Sequence, residues 1–168
     1  MLYCPACGRR LRWRLRAPDD RPRLRCEACG YVFYLDPKVS ACAIPVRDGR
    51  LYLLRRAIDP GRGRWVFPGG YLERGETVES AARRETEEEV GLRVELEGLV
   101  GVYSYVDSVV VTVVYAARVL EGEPRPGPET LEIRTFLPEE IPWSELAFES
   151  TGEALRDWLG GRGRRGGA

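Results

Sequence analysis

The chain has 168 residues, with 26 basic and 26 acidic side chains and a formal net charge of zero, so it has no overall attraction to nucleic acid or to an acidic membrane surface. No apolar run approaches the length of a membrane span, and the chain reads as a soluble, cytoplasmic protein with room for one real core and a small appendage. Histidine is absent, which excludes it as zinc ligand, nucleophile or general base and leaves proton transfer to carboxylates, Tyr, Cys, Arg, metal-bound water or Lys38, the sole lysine.

The first 34 residues carry two knuckles, Cys4-Pro5-Ala6-Cys7-Gly8 and Cys26-Glu27-Ala28-Cys29-Gly30. Their separation is that of a zinc ribbon. Four thiolates suit tetrahedral Zn²⁺, and a closed shell of four protein ligands is structural. Two disulfides or a dithiol redox pair are the alternatives. Disulfides need an oxidising compartment, and Met1-Leu2-Tyr3 does not read as a secretory leader. Cys42 is left over and reads as a buried core thiol. The ribbon is arginine-rich around Trp13, with Arg9, Arg10, Arg12, Arg14, Arg16, Arg21, Arg23 and Arg25. That face can lean over an acidic substrate, pack on the acidic remainder or meet nucleic acid. The first two are favoured, and nucleic acid is not an expected partner.

Leu35 to Lys38 reads as a hinge. A hairpin follows: Val39 to Val46, a turn at Arg47-Asp48-Gly49-Arg50, and Leu51 to Arg56. Ile58 to Arg64 is a loop, and Trp65 to Pro68 a short strand. Val78, Ala81, Ala82 and Val90 form an apolar stripe at helical spacing, with Thr77 as cap and Gly91 as stop. Strands are expected near Arg93 to Tyr105, broken at Gly98 and Gly101, and at Val109 to Leu120, whose β-branched run suggests burial on both faces. Glu121 to Pro128 is a loop and Leu131 to Leu137 a strand. Ser150-Thr151-Gly152-Glu153 looks like a capping box opening a helix to Leu159. Gly160 to Ala168 reads as a disordered tail. The order of elements implies an α+β domain over residues 35–159, a mixed sheet between helices.

The stripe's helix also carries charge. Glu85, Glu88 and Glu89 stand at i, i+3 and i+4, so their carboxylates share a face and repel. A hard cation with oxygen ligands, Mg²⁺ or Mn²⁺, answers that repulsion and keeps positions open for phosphate and water. Arg84 and Glu76 can brace the preceding loop to the helix, and Gly69 and Gly70 leave room for close backbone approach. A solvated acidic face is the bland alternative, and it suits Glu79 and Glu87.

From Gly70 through Glu76, Arg84-Glu85 and Glu88-Glu89 to Gly91-Leu92, the spacing resembles the Nudix box, G-x5-E-x7-R-E-U-x-E-E-x-G-U. Thr86 is the one departure, where an aliphatic residue is preferred. The resemblance implies an α/β/α sandwich that hydrolyses a diphosphate linking a nucleoside to another group, with divalent metal. A four-cysteine ribbon before such a domain is similar to the NADH pyrophosphatases, but their S-Q-P-W-P-F-P-x-S signature is missing here; the region reads Tyr103-Ser104-Tyr105-Val106-Asp107-Ser108. Tyr34-Leu35-Asp36-Pro37-Lys38, Pro126 to Glu132 and Glu140 to Phe148 resemble the FAD/ADP-ribose pyrophosphatases instead, which implies release of AMP from ADP-ribose or FAD.

The resulting assignment places the catalytic metal on Glu85, Glu88, Glu89 and the Gly70 carbonyl. The general base is Glu88, then Glu129 or Glu132, the last equally readable as a strand-surface residue. Arg55, Arg56, Arg64 and Tyr71 are candidate substrate contacts. Tyr103, Tyr105 and Phe148 can stack on a base, although aromatic residues near strands are more often core. Zinc sits on Cys4, Cys7, Cys26 and Cys29. Two exposed sheet edges would allow a homodimer. The rivals are a non-catalytic Nudix effector-binding regulator, which would usually lack box glutamates, and a zinc-ribbon nucleic-acid-binding protein.

Overall fold

Two tight cysteine turns organise the start of the chain. In the computed structural model, which describes residues 2–165, Gly8 N donates to Cys4 O and Gly30 N to Cys26 O, both at 2.9 Å. Gly8 and Gly30 adopt φ values of 70° and 77°, a region that glycine enters without steric cost. Between and after the turns run β1 (Arg12–Arg14), β2 (Arg23–Arg25) and β3 (Val32–Phe33), an antiparallel three-stranded sheet. Its small core is Cys4, Leu11, Leu24 and Cys26, with Phe33 packed against it. This unit covers Met1–Pro37 and the second unit Lys38–Ala168, so the division falls within the expected hinge.

The second unit opens with β4 (Lys38–Arg47) and β5 (Arg50–Arg56). Asp48 and Gly49 join them with φ of 52° and 77°, the paired left-handed conformations of a two-residue hairpin turn. β6 (Trp65–Val66) pairs with β5, and β7 (Gly69–Tyr71) pairs with β4. β7 is a strand to which the sequence reading assigned no element: Gly69 and Gly70, expected to leave room for close backbone approach, sit in a ladder opposite Cys42 and Ala41. Then come α1 (Val78–Val90), β8 (Arg93–Ser104), β9 (Val110–Glu121), β10 (Thr130–Phe136) and α2 (Glu149–Arg165). The sheet order is β10-β5-β4-β9-β8, with β4 and β9 parallel and the other neighbours antiparallel. Gly98 and Gly101 mark register shifts in β8 rather than breaks.

Side chains alternate across a strand. Ala41 packs with Ala81 and Ala82 of α1. Cys42 and Ile44 belong to the larger cluster with Leu51, Leu53, Val114 and, from α2, Ala154, Leu155 and Trp158. The mixed sheet thus lies between two helices, as expected. β9 is not buried on both faces: Leu120 is 54% exposed, and Val110 and Thr112 line a cavity. α2 also differs from expectation. It starts at Glu149, so Ser150 lies inside its first turn, and Glu153 accepts a hydrogen bond from Tyr105 Oη at 2.7 Å instead of closing a capping box. The helix continues past Leu159 to Arg165, where a disordered tail was expected; residues 166–168 lie outside those described.

Candidate active site

The cavity is built around α1. Thr77 Oγ1 caps the helix by accepting from Ser80 N at 3.2 Å. Gly91, at φ 72°, ends it and donates to Glu87 O. Thr86, the departure from the box pattern, is fully buried, and its hydroxyl donates to Ala82 O at 2.7 Å. A threonine therefore replaces an aliphatic residue without an unpaired polar group. The loop after β9 docks on the other end of α1: Arg125 N donates to Val90 O at 2.9 Å and Gly127 N to Glu89 O at 3.0 Å. Thr130 Oγ1 adds a bond to Glu89 O at 3.1 Å. A Cβ on Gly127 would stand 2.5 Å from Glu88 O, so only glycine lets the loop come this close. These bonds occupy carbonyls that a helix terminus leaves free, and they bring Glu129 to the cavity wall.

Arg84 ties the charged groups together. Its guanidinium meets Glu76 through Nε at 3.2 Å and Nη2 at 2.8 Å. Nη1 reaches Glu85 at 2.7 Å and Glu88 at 3.1 Å, and Nη2 reaches Tyr71 O at 3.3 Å. The loop before α1 is thereby fastened to the helix. The Arg84 hydrogen bond holds Glu76 below the usual carboxylate range. Glu89 turns the other way and accepts from Gly69 N at 2.8 Å. Burial pushes its carboxyl up to about 7, opposed by that N–H and reinforced by Glu85. Burial likewise raises Glu85.

Gly69 and Gly70 leave space that is already used. A Cβ on Gly70 would lie 2.5 Å from both Glu85 carboxylate oxygens, and one on Gly69 would strike Cys42. Cys42 is buried as expected, and desolvation pushes its thiol up to about 12.

One cavity of about 1090 Å³ gathers Gly70, Glu85, Glu88, Glu89, Glu129 and Tyr71, together with Arg84 and Arg56. The structure does not bring every candidate there. Glu132 lies on β10 opposite Arg55 and is paired with Arg55 at 3.7 Å and Arg134 at 2.5 Å. Arg55 also donates to Gly63 O at 2.7 Å, and Arg64 to Leu146 O at 3.3 Å. None of the three lines the cavity, so Glu132, Arg55 and Arg64 bind the second unit together. Glu76 likewise acts through Arg84, from outside the wall. Of the aromatic candidates, Tyr105 and Phe148 line the cavity, and buried Tyr103 donates instead to Asp157 at 2.8 Å. Sequence reading missed Ser40, Thr112 and Thr151 as wall residues; small hydroxyl residues on strands and helix starts carry no signal by themselves.

The acidic wall fits a divalent cation chemically. Glu85, Glu88 and Glu76 share one guanidinium, and Glu89 is held by a neutral N–H, so negative charge is in excess. The three box carboxylates do not meet at one point: Glu85 and Glu88 face Arg84, and Glu89 faces Gly69. Glu88 is the most open of the Arg84 partners, at 59% exposed. In the ribbon the four cysteine sulfurs lie within 4.8 Å of one another. Cys4–Cys29 and Cys7–Cys26 are 3.6 and 3.5 Å apart, too long for disulfides. Four sulfurs around one Zn²⁺ stand about 3.8 Å apart, so the cluster fits that ion.

The NUDIX domain family matches residues 36–159, and the Nudix N-terminal zinc-ribbon family matches residues 2–35. An ADP-ribose pyrophosphatase of Methanocaldococcus jannaschii is 37% identical over 133 residues, 77% of either chain. An NAD-capped RNA hydrolase NudC of Chromobacterium violaceum is 42% identical over 81 residues, 48% of this chain and 30% of that one. Among solved structures, a Nudix hydrolase from Nitrosomonas europaea has a TM-score of 0.92 at 36% identity, covering 98% of this chain and 93% of that one. An ADP-ribose pyrophosphatase from Streptococcus suis has a TM-score of 0.64 at 27% identity, covering 75% and 92%. The likeness extends from the cysteine ribbon to the last helix and includes the glutamate-bearing helix on which the cavity is built, and the chain belongs to the Nudix hydrolase family.

Proposed function

We propose that the protein is a divalent-metal-dependent pyrophosphatase that cleaves ADP-ribose or FAD at the central diphosphate and releases AMP. The observation that carries this reading is one cavity whose wall includes Gly70, Glu85, Glu88, Glu89 and Glu129. A relative 37% identical over most of its length is named an ADP-ribose pyrophosphatase, and the cavity is large enough for a dinucleotide-sized substrate.

Nudix enzymes use divalent metals, and Mg²⁺ or Mn²⁺ bound by Glu85, Glu88, Glu89 and the Gly70 carbonyl would neutralise diphosphate charge and acidify a water. The protein supplies positioning and proton transfer. Arg84 orients Glu85 and Glu88. Glu88, exposed to the cavity, takes the proton of the attacking water, with Glu129 as the second candidate. Arg56, aligned by its bond to Pro60 O at 2.8 Å, faces the phosphates, and Tyr71 and Tyr105 provide aromatic wall. Zn²⁺ on Cys4, Cys7, Cys26 and Cys29 is structural.

A panel of ADP-ribose, FAD, NADH, CoA, diadenosine polyphosphates and nucleoside triphosphates tests the substrate. ADP-ribose or FAD should show the highest kcat/KM. A panel led by NADH would favour the alternative of a dinucleotide pyrophosphatase, and one led by a nucleoside triphosphate would overturn both.

A further inference from the structure

Beyond the glutamates the cavity reaches the first turn of α2, where Phe148, Glu149, Ser150 and Thr151 form its wall. Thr151 is 1% exposed, and its Oγ1 is buried with no hydrogen-bond partner. Its own amide and the next are used: Thr151 N and Gly152 N donate to Phe148 O at 3.1 and 3.3 Å. Buried hydroxyls in native proteins are nearly always paired. Thr151 is one of the residues that wall the cavity, so a group bound there can meet this hydroxyl.

The surroundings select the chemistry of that group. Glu149 brings a carboxylate to the wall beside Thr151, and the Thr151 and Gly152 amides are already used, so a neutral group that both donates and accepts fits these side chains, with the diphosphate left to Arg56. A purely apolar group would leave Thr151 unpaired. A sugar diol satisfies every member of the turn. Its hydroxyls donate to the Glu149 carboxylate and exchange hydrogen bonds with Ser150 and Thr151. The Phe148 ring, held against the Arg56 guanidinium at 5.1 Å, gives its carbon skeleton an apolar wall.

We infer that the first turn of α2 is a subsite for the sugar hydroxyls of the group distal to the cleaved diphosphate, read by Thr151 and Glu149. This rests on the ADP-ribose reading above and adds which part of the chain reads the non-nucleoside half.

The test compares kcat/KM for ADP-ribose with that for the methyl ester of ADP, which keeps the nucleoside diphosphate and lacks the distal sugar. Wild type should prefer ADP-ribose. Thr151→Val should reduce that preference roughly tenfold, mainly through KM, since one substrate hydrogen bond is removed. Thr151→Ser, which keeps the hydroxyl, should retain most of it. The ligand-free unfolding temperature of Thr151→Val should not fall, because valine fills the volume without an unpaired hydroxyl. Glu149→Gln, at an exposed position, should also lower the preference and serves if valine is poorly tolerated. A wild type that prefers ADP-ribose while both variants keep the preference overturns the subsite and leaves the substrate reading standing. A wild type that cleaves neither compound overturns the substrate reading and the subsite with it.

Discussion

Gly70→Ala separates the site from the fold. Gly70 has no left-handed φ, so alanine is compatible with its backbone. The obstacle is the Glu85 carboxylate, whose two oxygens lie 2.5 Å from the added Cβ. These are the tip of a flexible side chain, so Glu85 can swing away, at the cost of its 2.7 Å bond to Arg84. A hydrogen bond between charged groups contributes about 1.5–3 kcal/mol. For a unit of this size that corresponds to a fall of about 5–10 °C in Tm. Moving a catalytic carboxylate by an ångström costs about 100-fold in rate. Gly70→Ala should therefore give a folded protein with a modest loss in Tm and a loss of about two orders of magnitude in kcat. Gly69→Ala is the contrast, because its Cβ would sit 2.7 and 2.8 Å from Cys42 Cβ and Cα, and backbone cannot swing. It should destabilise the sheet far more. Thermal unfolding by circular dichroism and steady-state hydrolysis read the two effects separately. Wild-type turnover in Gly70→Ala, or unfolding as severe as that of Gly69→Ala, would refute the reasoning.

Cys26→Ser should abolish zinc binding and unfold the ribbon, since thiolate zinc contributes on the order of 10 kcal/mol; elemental analysis should find one zinc per wild-type chain, and calorimetry should show the second unit, with its own core, still folded. Glu76 has a folded pKa below its unfolded value, so its contribution to stability is fully present above about pH 4.3 and is lost as pH falls through the lower folded value. The stability gap between wild type and Glu76→Gln should be constant near neutrality and close in acid, and a gap that persists well below that range would contradict the Arg84 brace. Cys42, with its thiol pushed up to about 12, should resist alkylation at pH 8 in the native protein and react only on unfolding, as peptide mass spectrometry would record.

The box helix was legible because charges, glycines and apolar residues on one segment obey a single period, and its caps and buried face follow from it. The cysteine knuckles were legible for the same local reason. What the sequence hid depends on long-range pairing. Arg55 and Arg56 are adjacent, but alternation on β5 and the register with Glu132 commit Arg55 to the sheet and leave Arg56 for the cavity. Ser150 to Glu153 has the spacing of a capping box, yet Tyr105, 48 residues away, takes the Glu153 carboxylate. β7 was hidden because glycine has low strand propensity; the contacts of Cys42 and Glu85 require glycine there. Nothing in the structure explains why α2 continues through Gly160 and Gly161.

The central claim is that the α1 glutamates act with a divalent cation on a nucleoside diphosphate linkage. AMP release from ADP-ribose tests it most directly, with Mg²⁺ titrated into chelated enzyme, in wild type and Glu89→Gln. The glutamine keeps an oxygen for Gly69 N and removes the charge. Wild type should be inactive after chelation and recover with Mg²⁺ or Mn²⁺, while folded Glu89→Gln should remain slower by roughly 100-fold or more. Hydrolysis that survives complete chelation, or wild-type turnover in Glu89→Gln, would contradict the account.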